Sequence, residues 1–318
     1  MLAALQRIRL RLLIWAIALF AVSAQSSDAP DTRVAKLSSV GSDTLSGMMR
    51  SWVSLYSTQY PDVVVQVQSS GSSTAPVAML EGAASIGPMS RPMTPSERLA
   101  FQNKYGYPIT EIIVGVDAVS VFVHIDNPLE SLSLPQLDAI FSSTRRCGGE
   151  SRPELWGDLG VVGSVSTQPL SLFGRNSVSG TYTFFRRQAL CGGDFASNVS
   201  EQPGSSSVVQ SVAVSLRGIG YTGVGFLSSG VKPLALRRHE GAPAVLPTEE
   251  TAISGQYPLA RPLYLYVNQP KGKAITGLER DFIRVVLSDS GQEVVSKSGF
   301  VALPLSHRLQ VKAELGVL

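Results

Sequence analysis

Short apolar runs alternate with longer amphipathic stretches from Leu37 to the end of the chain, a pattern that predicts an α/β protein. Leu37 to Val40 reads as a strand, and so does Val63-Val64-Val65-Gln66-Val67, bounded by Pro61-Asp62 and Ser69-Ser70-Gly71. Between them, Leu45 to Tyr60 sets Met48, Met49, Trp52, Leu55 and Tyr56 at helical spacing. Thr94-Pro95-Ser96-Glu97 has the form of a helix start, with proline in the first turn and an acid close behind. Ile112 to Val116 and Val119 to Val123 are strongly apolar, and Leu263 to Val267 is their late counterpart.

The stretch between those late and early apolar runs is richer in Ser and Gly and holds both cysteines. The simplest architecture is therefore two lobes. The first is discontinuous, built from residues 34–114 and 262–318; the second is the insert, residues 115–261. Two strands then cross between the lobes and form a hinge. Gly204-Ser205-Ser206-Ser207 reads as the loop before a helix.

The first 24 residues carry a different message. Arg7, Arg9 and Arg11 precede an almost wholly apolar run from Leu12 to Val22, and Val22-Ser23-Ala24 offers a signal peptidase its small residues. The run is about half the ~20 residues a spanning helix needs, so residues 1–24 are expected to be cleaved, with Gln25 as the mature start. All three charges of that segment are arginine; removing them from 27 basic residues leaves 24 against 24 acidic ones. The mature chain is formally neutral, which argues against a nucleic-acid partner and makes any anion site local. In an oxidising compartment the lone pair Cys147 and Cys191 is expected to form a disulfide, two free thiols being the alternative. A metal site would need a cluster, and His124, His239 and His307 are scattered.

Three segments share one form, small and hydroxyl residues between a strand and a helix: Gly41-Ser42-Asp43-Thr44-Leu45, Gly71-Ser72-Ser73-Thr74 and Ser177-Val178-Ser179-Gly180-Thr181. A helix N-terminus presents unpaired N–H groups and partial positive charge, so it attracts oxyanions. Any one segment is equally well a helix cap, because Ser, Thr and Asp are preferred there. Three of them on both lobes favour a ligand. Arg175, two residues before Ser177, supplies paired donors that match a phosphate or carboxylate face. Arg91, in Gly87-Pro88-Met89-Ser90-Arg91, is a second candidate cation. The chain has no Walker loop, no Gly-x-Ser-x-Gly elbow and no paired carboxylates, so the residues suit clamping an anion better than transforming it.

These segments resemble the phosphate-binding periplasmic component of ABC transporters, the PstS-like family. The resemblance extends to Ile86 through Arg91, Arg175-Asn176-Ser177-Val178-Ser179-Gly180-Thr181, Ile219-Gly220-Tyr221, Tyr257 through Pro262, and Ser290-Gly291-Gln292 through Gly299-Phe300. The Arg-x-x-x-Ser-Gly-Thr element is the most specific. What the resemblance implies is a type II periplasmic binding fold that holds inorganic phosphate between its lobes and delivers it to a membrane ABC permease. No cofactor, metal or nucleic acid is implied, and the protein is expected to work as a monomer in the periplasm, or as a secreted form. Carried over by position, Ser42, Asp43, Thr44 and Leu45 line the site from the first lobe together with Ser72, Ser73, Ser90 and Arg91. Arg175, Ser179, Gly180 and Thr181 close from the second. Two positions depart from the family: Arg91 stands where an Asp accepts the proton of hydrogen phosphate, and Ser177 stands where an acid follows the binding arginine. Asp43 is the nearest substitute acceptor, ahead of Glu201. An exported phosphatase of low activity and a secreted adhesive or scaffolding protein are the alternatives on the same fold.

Overall fold

The computed structural model describes residues 35–317 except 271; the expected signal segment, residues 1–24, lies outside the described residues. β1 (Ala35–Val40) and β2 (Val63–Gln68) flank the helix Ser46–Gln59, β3 (Ile86–Met89) follows the helix Thr74–Leu80, and β4 (Thr110–His124) follows the helix Pro95–Tyr105. The middle of the chain adds β5 (Ser131–Ser133), β6 (Ser171–Arg175), β7 (Ser200–Gln202), β8 (Gly218–Gly223), β9 (Val231–Pro233) and β10 (Ala235–Arg237). Helices Leu134–Phe141, Gly180–Ala189 and Ser205–Ala213 lie among those strands. β11 (Ala260–Val267) and the helices Gly277–Val286, Asp289–Lys297 and Leu305–Leu315 complete the protein.

Sequence patterning accounts for most of these elements. The Met48, Met49, Trp52 and Tyr56 stripe is the buried face of the helix Ser46–Gln59. Thr94 closes a capping box with Glu97: its hydroxyl accepts from the Glu97 N–H while the Glu97 carboxylate accepts from the Thr94 N–H. The two apolar runs around residues 112–123 turn out to be one 15-residue strand, β4. Gly115 to Ala118 does not break it, because that stretch continues the ladder with β11.

One sheet runs in the order β2-β1-β3-β11-β4-β8-β6-β7, with β9 also on β4. β11 is antiparallel to both β3 and β4. Beyond Ala118, β4 leaves β11 and pairs with β8 through Val119–Val123. β4 and β11 thus join two halves of the sheet, and the apolar core divides in the same way. One cluster unites Leu37, Trp52, Ile86 and Val114 with Leu263, Phe282 and Val295. A second unites Val119, Phe141, Trp156, Phe185, Tyr221 and Leu259. The fold is two-lobed, with β4 and β11 as the crossing strands.

Cys147 and Cys191 form a disulfide, with Cα atoms 5.2 Å apart and a sequence separation of 44. In the chain-entropy view a loop of that size restricts the unfolded state by about 4 kcal/mol. No helix among the described residues is long and apolar enough to cross a membrane. Among the described residues no group of three or more His, Cys, Asp or Glu is placed to hold a metal ion.

Candidate functional site

The three hydroxyl-rich segments meet where the two halves of the sheet face each other. Gly71 N–H donates to the Gly41 carbonyl at 2.8 Å, which locks the first two segments together. The third reaches them across the lobes: Ser73 N–H donates to the Val178 carbonyl at 3.1 Å, and the Thr44 and Thr181 hydroxyls lie 3.2 Å apart. Gly180 comes so close that a Cβ there would sit 2.4 Å from Ser72 Oγ and 2.6 Å from Ser90 Oγ. Only glycine permits that approach.

Each hydroxyl has a defined local role. Ser179 caps the helix Gly180–Ala189, its Oγ accepting from the N–H groups of Thr181 and Tyr182. The Gly180 N–H, first in that helix, has no intrahelical acceptor. Ser72 Oγ accepts from the Ser90 N–H at 3.0 Å and lies 3.2 Å from Ser90 Oγ. Leu45 precedes the helix Ser46–Gln59 without a side-chain cap; the Ser46 N–H donates to the Asp43 carbonyl at 2.9 Å, and the Leu45 carbonyl accepts from the Met49 N–H at 2.8 Å. Ser42 is buried, with its N–H given to the Pro88 carbonyl at 2.8 Å.

Arg175 ends β6 and is 1% exposed. Its Nη1 lies 3.1 Å from Asp43 Oδ2 and donates to Ser205 Oγ at 2.5 Å, and its Nη2 donates to the Pro203 carbonyl at 3.1 Å. Nε is buried with no partner among the described residues. Burial pushes the Arg175 guanidinium pKa down, and the Asp43 carboxylate opposes that shift. A buried guanidinium with an unmet donor is costly unless a further acceptor meets it, and an oxyanion is such an acceptor.

The Asp43 side chain does not cap the helix that follows it. Its Oδ2 also accepts from the Ser205 N–H at 3.0 Å, so it ties the first segment to Arg175 and to the start of the helix Ser205–Ala213. Both terminal nitrogens of Arg91 are engaged by the protein, while its Nε, like that of Arg175, is buried without a partner among the described residues. Nη1 and Nη2 donate to the two Glu97 carboxylate oxygens at 2.8 Å each, Nη1 also to the Pro92 carbonyl and Nη2 also to Ser73 Oγ. Glu97 stays ionised for that reason: burial alone would raise its pKa, but the hydrogen bonds from Arg91 and Thr94 hold it below the ordinary value. Glu201, the other acid considered, is exposed on β7.

Sequence reading missed three contributors. Ser205 was legible only as a helix start, yet it is buried against Arg175. Asp117 on β4 and Arg261 on β11 form a buried ion pair at 2.7 Å, and Arg261 Nη2 donates to Thr181 Oγ1 at 2.9 Å. A charged residue inside an apolar strand pattern was the available signal for both.

Residues 26–290 match the model of a PBP superfamily domain. The chain is 52% identical over 281 residues to a protein of Pseudomonas aeruginosa named phosphate-binding protein PstS, covering 88% of this chain and 87% of that one. A protein of the same name from Staphylococcus saprophyticus is 27% identical, over 86% of this chain and 82% of that one. Among solved structures, an ABC-type phosphate transport receptor from Vibrio cholerae superposes with a TM-score of 0.64 at 22% identity, over 84% of this chain and all of that one. A Clostridium perfringens substrate-binding protein with bound phosphate gives 0.70 at 23% identity, over 85% of this chain and all of that one. The two structures share the fold, and the match to the family model and to the Pseudomonas relative carries the assignment further: the chain belongs to the PBP superfamily and, within it, to the PstS-like family of substrate-binding proteins.

Proposed function

We propose that this protein is an exported phosphate receptor, which closes two lobes around inorganic phosphate in the periplasm and delivers it to an ABC permease. The observation that carries the reading is Arg175: a buried guanidinium with an unmet Nε donor, joined to Asp43 of the first lobe and to the start of the helix Ser205–Ala213 in the second. The lobes are residues 34–114 with 262–318, and residues 115–261; the division of the apolar core supports those limits. Thr44, Leu45, Ser72 and Ser90 supply donors from the first lobe, and Arg175, Ser179, Gly180 and Thr181 from the second. Ser42, Ser73 and Arg91 support these from behind: the Ser42 N–H is held by the Pro88 carbonyl, Ser73 Oγ accepts from Arg91 Nη2, and both Arg91 terminal nitrogens hold Glu97. Asp43 Oδ1 has no donor among the described residues and is the acceptor for a phosphate proton. The ligand stabilises the closed state because only that state contacts it from both sides.

The protein performs no chemistry on the ligand. Its relatives are substrate-binding proteins. Hydrolysis would need a base beside a nucleophile, and Ser72 and Thr44 have hydroxyl partners while Ser179 caps its own helix. Calorimetry with phosphate, sulfate and arsenate tests the reading, run beside a phosphomonoester turnover assay. Stoichiometric phosphate binding without turnover is expected. Turnover, or failure to bind phosphate, would overturn it.

A further inference from the structure

The pair Asp117–Arg261 is the most deeply buried ion pair among the described residues, its side chains 0% and 2% exposed. The two residues stand directly opposite each other in the β4–β11 ladder, where the chain crosses between lobes. Both Nε and Nη2 of Arg261 donate to Asp117 Oδ2, at 3.0 and 2.7 Å. Nη2 carries two protons, and the second goes to Thr181 Oγ1 at 2.9 Å. The ring of Phe184, from the same helix as Thr181, lies 5.2 Å from the Arg261 guanidinium carbon. Arg261 is therefore held from two sides with Nη2 aimed at one hydroxyl, while Nη1 is buried without a partner among the described residues.

That contact fixes the polarity of Thr181. A guanidinium has donors only, so Thr181 Oγ1 must accept, and its own proton is left to give elsewhere. The nearest hydroxyl, Thr44 Oγ1, is 3.2 Å away on the other lobe. The charge also reaches the site: Arg261 adds to the forces that lower the Arg175 pKa, so the two guanidiniums repel one another across the same small volume. An oxyanion bound beside both relieves that repulsion.

We propose that Arg261 is a positioning residue of the anion site, holding the Thr181 hydroxyl as a donor toward bound phosphate, with Asp117 fixing Arg261 in place. The inference rests on the phosphate-receptor reading and deepens it. A purely structural pair, clamping β4 to β11, would leave the same ladder but would not act through Thr181.

A double-mutant cycle on phosphate affinity separates the two roles. Arg261→Lys is expected to weaken binding roughly 10-fold or more in the parent protein, and less than about 2-fold in a Thr181→Val background. Thr181→Ser, which keeps the hydroxyl, restores the full Arg261→Lys loss. Equal losses in the parent and Thr181→Val backgrounds, or parental affinity in Arg261→Lys, would overturn the proposal. Nitrogen-15 labelling of arginine side chains gives a measurement that needs no Arg261 variant and so does not depend on its folding. Phosphate should shift the Arg261 Nη2 signal clearly more in the parent than in Thr181→Val; shifts of equal size in the two proteins, or none in either, reject the inference. A parent protein that binds no phosphate at all would instead sink the receptor reading, and this one with it.

Discussion

Replacing Arg175 by alanine should damage binding far more than replacing Arg91, although both are buried arginines in the same set of loops. Each leaves its Nε without a partner among the described residues, so the difference lies in the terminal nitrogens and in what holds them. Arg91 gives all four of its Nη protons to protein acceptors: two to Glu97, one to Pro92 and one to Ser73. Arg175 commits Nη1 to Asp43 and Ser205 and one Nη2 proton to Pro203, which leaves Nε and the second Nη2 proton for a ligand. Truncating one partner of a buried, hydrogen-bonded charge pair costs about 2–5 kcal/mol, a roughly 30- to 5,000-fold rise in Kd. Arg175→Ala belongs in the upper half of that range, above about 300-fold, because it also leaves Asp43 facing the anion without its cation. Arg175→Lys keeps the charge without the fork and should lose roughly 10- to 100-fold. Arg91→Ala should lose less than about 10-fold, its main effect being on the helix start that Glu97 organises. The assay is titration calorimetry on protein unfolded, freed of phosphate and refolded, with competition titrations for tight variants. Losses of equal size for Arg91→Ala and Arg175→Ala would refute the assignment of the central cation.

Gly180→Ala places a methyl 2.4 Å from Ser72 Oγ only when the lobes are closed; phosphate affinity should fall roughly 30-fold or more with an unchanged melting temperature of the ligand-free protein, and parental affinity would show that the serines yield. Asp43→Asn keeps shape and removes charge, so the gap between phosphate and sulfate affinity should narrow in competition calorimetry across neutral and mildly alkaline pH. A variant that rejects sulfate as firmly as the parent places the acceptor elsewhere. Glu97 has a depressed folded-state pKa, so its contribution is present above the ordinary value of 4.5 and is lost as pH falls below it. Glu97→Gln should therefore be less stable than the parent by about 1 kcal/mol at neutral pH, the gap closing in acid; a pH-independent gap in thermal melts would contradict this.

The sequence alone determined the class of the fold, the strands and helices with strong periodicity, and the loops that could receive an oxyanion. These are local properties: the Val63–Val67 alternation, the capping box at Thr94 and Glu97, and the Arg-x-x-x-Ser-Gly-Thr spacing each act within one or two turns of chain. Legible too was the pairing of two cysteines, because there was only one pair to make. Which charges serve the ligand and which serve the scaffold was decided only by tertiary structure. Arg91 and Arg175 look alike in sequence, but Glu97 folds back on the first, whereas the second meets Asp43 from 132 positions away. Ser205 and Arg261 became part of the site by the same means, brought in by the Pro203–Ser205 turn and by the β4–β11 ladder. A hydrogen-bonding group's function depends on which acceptors remain once folding has assigned the rest, and those acceptors come from segments that share no local pattern.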